Sequence, residues 1–156
     1  MKTLARLSLS LIVAFTAFAE VKETAQLKVT GGTHAGSYSA STERGGCSAG
    51  LTGPASFGNQ LSSPKDQDPN HFNSLQLIVP NPKTPSEFFL AVGFGPLLHR
   101  SAEYKVETRT GQKKSGSGSV DVKDSGSTAK VSFHATTADG VKLEGTINCN
   151  SVIRAK

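Results

Sequence analysis

The stretch STAKVSFHATTADGVKLEGTINC, Ser127 to Cys149, decides how the chain is read. Ala129, Val131, Phe133 and Ala135 alternate with Lys130, Ser132, His134 and Thr136. Beyond TADG, Val141, Leu143, Ile147 and Cys149 stand opposite Lys142, Glu144, Thr146 and Asn148. A period of two with one dry and one wet side is the pattern of a half-buried antiparallel strand. TADG and the earlier DSGS are rich in residues that accept tight turns, so they predict hairpin connections.

Working outward, AEYKVETRT carries the same alternation, with Tyr104, Val106 and Thr108 against Glu103, Lys105, Glu107 and Arg109, and GSVDV adds Val120 and Val122. The expectation is a meander of about four strands from Ala102 to Cys149. TGQKKSGSG then reads as a hairpin loop; where a phosphate-binding loop requires Gly-Lys followed by Ser or Thr, it has Gly116-Ser117-Gly118. Towards the N-terminus, AQLKVTG, GSYSAS and SLQLIVP predict shorter strands with Leu27, Val29, Tyr38, Leu75, Leu77 and Val79 as core candidates. FFLAVGF, Phe88 to Phe94, reads as a strand covered on both faces. Pro80, Pro82, Pro85 and Pro96 mark connections, because proline forfeits a ladder hydrogen bond.

No stretch after the leader sustains apolar spacing at helical intervals, and the chain holds 16 glycines. The predicted fold is therefore all-β: a single antiparallel β-sandwich domain over residues 20–156, with a closed β-barrel as the alternative. Residues 1–19 read as a secretory signal peptide: Lys2 and Arg6, an apolar run from Leu7 to Phe18, and the small-residue end Ala17-Phe18-Ala19. The run is short for a membrane span, and no cysteine near the cleavage point offers a lipid anchor. An exported protein, periplasmic or extracellular, is expected. In that setting the two cysteines, Cys47 and Cys149, predict one disulfide.

The formal charge of +5 includes Lys2 and Arg6, which would leave with the leader. The one basic doublet, Lys113-Lys114, sits among glycines and serines, so no basic face for nucleic acid is visible.

Three patterns bear on chemistry. Gly46-Cys47-Ser48-Ala49-Gly50 matches the G-x-S-x-G elbow of serine hydrolases, which needs a helix directly after the serine. LTGPASFGNQ follows instead, so GGCSAG is expected to be a glycine-rich turn around a disulfide-bonded Cys47. Ser62-Ser63-Pro64-Lys65 and Ser127-Thr128-Ala129-Lys130 match S-x-x-K but lack the helix that brings serine and lysine together. Asp66, Asp68 and Asn70 alternate as the oxygen ligands of a calcium loop do, but His71 replaces the turn glycine and Leu77 the closing glutamate. The sequence contains no tryptophan and only two tyrosines for a sugar platform.

The functional expectation is a non-enzymatic exported β-domain with a binding or cell-envelope role and partners the sequence does not name. No cofactor is required. The alternatives are a calcium-assisted module for a ligand such as carbohydrate, held by Asp66, Asp68 and Asn70, and a serine hydrolase centred on Ser48.

Overall fold

The computed structural model describes residues 21–42, 45–63 and 68–155. The expected signal peptide lies outside the described residues, as does Asp66 of the calcium candidates. Eleven strands run in order among the described residues: β1 (Glu23–Thr30), β2 (Gly36–Thr42), β3 (Gly45–Ala49), β4 (Phe57–Ser62), β5 (Phe72–Val79), β6 (Phe89–Phe94), β7 (Ala102–Glu107), β8 (Ser117–Asp124), β9 (Ala129–Thr136), β10 (Lys142–Cys149) and β11 (Val152–Arg154). They form two open sheets packed face to face, β2-β1-β10-β9-β8 and β11-β3-β4-β5-β6-β7, so the sandwich holds and the barrel does not. Every pairing is antiparallel except β11 with β3.

The alternation read from the sequence places the core. Leu27, Val29, Val131, Phe133, Leu143 and Ile147 of the five-stranded sheet meet Leu61, Leu75, Leu77, Leu90, Val92 and Val106 of the six-stranded sheet, all almost fully buried. Burying such side chains contributes roughly 1.5 to 3 kcal/mol each. β6 is buried along nearly its whole length, as its apolar run predicts. Gly145 of β10 faces inward, and the Phe133 ring fills the space its missing side chain leaves.

Two expectations change. The stretch from Ala102 to Cys149 is a three-stranded meander, β8-β9-β10, preceded by a strand of the other sheet. Thr108 explains the crossing: its N–H donates to the Phe88 carbonyl at 2.9 Å, and its hydroxyl accepts the Phe88 N–H at 2.8 Å. These bonds tie the end of β7 to the start of β6, while the Glu107–Ser115 bridge closes the following loop and Gly116, at φ +83°, passes against the Thr136 backbone into the other sheet. TGQKKSGSG is thus a crossover. Likewise, GGCSAG is mostly strand rather than turn, since Gly45–Ala49 form β3 and the chain reverses only at Gly50, φ +79°. Gly45, at φ +86°, lies so close to the Gln60 carbonyl that no side chain fits.

The disulfide joins Cys47 of β3 to Cys149 of β10, one cysteine from each sheet, at a sequence separation of 102. Both are buried. In register beside them, Glu23 pairs with Cys149 along one sheet and Asn59 pairs with Cys47 along the other, and the Asn59 amide donates to Glu23 Oε1. A covalent and a hydrogen-bonded cross-sheet contact therefore stand side by side.

Replacing both cysteines by alanine is expected to lower unfolding stability by roughly 4 to 5 kcal/mol, the chain-entropy value for a loop of about 100 residues. Urea unfolding under identical conditions checks this. Gly145→Ala is expected to cost about 1 to 3 kcal/mol, because its methyl would strike the Gln26 carbonyl and the Phe133 ring.

Candidate functional site

Ser48 stands in the middle of β3, with Ile153 on one side and Gly58 on the other. No helix follows it; the chain enters a turn at Gly50. The groove that Ser48 lines has no histidine in its wall. Asp68 uses Oδ1 to accept the Asn70 N–H at 2.9 Å within their own turn. Among the described residues, no group of three or more His, Cys, Asp or Glu side chains is placed to share a metal ion.

A serine–histidine contact that the sequence reading missed lies at one end of the sandwich. His34 is buried and stacks on Phe94 with ring centroids 4.4 Å apart. Its Nδ1 is 3.0 Å from the Thr33 hydroxyl, and its Nε2 is 3.4 Å from Ser101 Oγ. The Ser101 hydroxyl donates its one proton to the Pro69 carbonyl. The imidazole must then be the donor to Ser101, which is the wrong polarity for a base that activates a nucleophile. With Tyr38 donating to the His34 carbonyl at 3.0 Å and Tyr104 edge-on to Phe94, this cluster knits three loops and strands together. Its members are too far apart in the chain for any local motif to reveal them.

The outer faces of the two sheets differ in kind. On the five-stranded sheet, Lys28, Glu144 and His134 lie in one cross-strand row and Gln26, Thr146 and Ser132 in the next. They floor a shallow polar trough of about 540 Å³. His134 Nδ1 is 3.9 Å from Glu144 Oε1, with both side chains largely in solvent, so the pair is worth little.

On the six-stranded sheet, one row runs Ile153, Ser48, Gly58, Ile78, Phe89 across β11, β3, β4, β5 and β6. Large apolar residues flank a serine and a glycine, so the row is hollow in its centre. The adjacent row holds Gly46, Gln60 and Gln76. The result is a groove of about 520 Å³ with Leu51 and Lys22 on its rim. Leu51 and Ile153 are each 58% exposed, two of only four large hydrophobic side chains that stand out among the described residues. Exposed apolar surface gathered around a concavity is typical of binding sites.

At the far end of that row, the Arg109 guanidinium lies over the Phe89 ring, 5.2 Å from its centroid. Glu107 holds it by two bonds, Nε to Oε1 at 2.8 Å and the terminal amine to Oε2 at 2.5 Å. The Arg109 bond holds the Glu107 carboxyl below the usual carboxylate range. This clamp closes one end of the row and leaves the Ile153 end open.

Gly58 has no backbone reason to be glycine. It lacks the positive φ of the turn glycines, and a methyl there would meet Ser48 Oγ at 3.4 Å and the Leu77 carbonyl at 3.5 Å, ordinary contact distances. Glycine inside a strand weakens it, and one use of such a residue is to let another molecule come close. The groove thus offers apolar walls with hydroxyl, amide and ammonium groups around them and, among the described residues, no acid–base pair. No family model, curated protein or solved structure matches the chain.

Proposed function

We propose that this chain is an exported, non-enzymatic binding domain whose site is the groove over β3, β4, β5 and β11. The observation that carries the reading is Gly58, a strand glycine that the backbone does not require, at the centre of a hollow row between Ile153 and Ile78. The ligand that fits is amphipathic: an apolar body lying over Gly58 against Ile78, Ile153 and Leu51, with a hydrogen-bonding or anionic head towards Gln60, Gln76 and Lys22. A buried disulfide and the absence, among the described residues, of a helix able to cross a membrane accord with export.

The probe 1-anilinonaphthalene-8-sulfonate has this chemistry, an aromatic body with one anionic group. In a fluorescence titration of the folded protein, Gly58→Ala is expected to weaken its binding by about fivefold or more, the equivalent of losing roughly 1 kcal/mol of apolar contact. The same substitution is expected to leave stability unchanged or raise it by about 0.4 to 1 kcal/mol. Amide shifts on adding the probe should map to Ser48, Gly58, Gln76 and Ile153. Equal affinity in the two proteins, or shifts confined to the polar trough around Glu144, would overturn the assignment.

A further inference from the structure

Glu23 is fully buried, and its Oε2 has no hydrogen-bond partner; Asn59, also buried, has none for its Oδ1. Their other ends are already joined, the Asn59 amide donating to Glu23 Oε1. The two orphaned atoms are both acceptors, and burying unsatisfied acceptors is costly. One proton removes both deficits: a neutral carboxyl donates Oε2–H to Asn59 Oδ1 while Oε1 accepts from Nδ2.

We propose that Glu23 and Asn59 form a reciprocal acid–amide latch between the two sheets, closed while Glu23 keeps its proton and loosened when the proton leaves. The placement fits a latch. Glu23 belongs to β1 and Asn59 to β4, so the contact crosses the sandwich beside the disulfide.

Among the described residues, those paired beside the two do not compete for the charge. Beside Glu23 stand Thr42 of β2 and Cys149 of β10; beside Asn59 stand Cys47 of β3 and Leu77 of β5. The cysteines are spent in their disulfide, and none of the four titrates. Lys22, next in the chain, lies along the groove by Gly46. Glu43 and Arg44, which follow Thr42, are outside the described residues. Burial, only partly opposed by the Asn59 bond, raises the carboxyl to about 7. An acid raised on folding binds its proton more tightly in the native state than in the unfolded chain. Its contribution is therefore complete below the ordinary value of 4.5, falls as pH rises, and is gone above about 7.

The test compares urea unfolding of the intact protein and of Glu23→Gln from pH 5 to 8. Glutamine keeps both hydrogen bonds as an amide–amide pair and cannot ionise. The folding constant of the parent, relative to the variant, is expected to fall by about tenfold per pH unit between pH 5 and 7 and then level off. Parallel curves would sink the latch. Should the variant fold poorly, carbon-13 titration of the Glu23 carboxyl in the parent decides: a midpoint near neutrality supports the proposal, and one near 4.5 overturns it. Neither readout depends on ligand binding in the groove, so the latch and the binding reading stand or fall separately.

Discussion

The sandwich depends on what joins its two sheets near Cys47. Each sheet has its own ladder of backbone bonds, and most of what holds one against the other is apolar burial, which is non-directional and tolerates sliding. The disulfide from β3 to β10 is directional. It fixes which row of one sheet sits over which row of the other, and Glu23–Asn59 repeats that constraint one strand over in each sheet. Two adjacent fixed points define an orientation as well as a position. A buried polar pair adds little to net stability compared with apolar side chains of the same size, but it strongly disfavours any packing that leaves its acceptors unpaired.

Glycine plays opposite parts on the two faces of this scaffold. Gly145 is a packing residue, its place taken by the Phe133 ring and the Gln26 carbonyl. Gly58 has room for a methyl at ordinary contact distance and an unexceptional backbone. The sequence contains no local distinction between the two, since both are single glycines in alternating strands. The difference emerges only from which face each occupies: inward at Gly145, opposite Leu27 and Phe133, and outward at Gly58, opposite Ser48 and Ile78.

The same dependence on register explains what was readable from sequence. The strands holding Leu27, Leu75, Tyr104, Val131 and Leu143 were legible because their large apolar residues recur at alternate positions, and Cys149 could be placed inward by parity alone. β3, β4 and β11 were not. FGNQLS offers only Phe57 and Leu61 as dry positions, VIR is three residues long, and GGCSA has glycines where a strand usually has branched side chains. These are the strands whose outward face is hollow, so the feature that makes the groove also erases the strand signal. Glu23 was legible in principle. Carrying the parity of Val29, Leu27 and Ala25 back by two residues puts it inside, and only the habit of placing charges in water argues otherwise.

The groove and the cross-sheet contacts share the same two strands. Cys47 and Asn59 hang from the inner side of β3 and β4, while Ser48 and Gly58 present the outer side of those strands to the groove. Anchoring the inner side limits how far the floor can bend when a ligand presses on it. In general, a floor held in place spares a ligand the entropy of ordering it, which is how rigid scaffolds convert modest contacts into useful affinity. The rim is built differently: Leu51 belongs to the turn after β3, and Ile153 to a three-residue edge strand held by the Val152 N–H on the Ser127 carbonyl and by Arg154 on Asp124. In the binding reading proposed above, the elbow-like pentapeptide would serve through its shape and the Ser48 hydroxyl, on a floor held from its inner side.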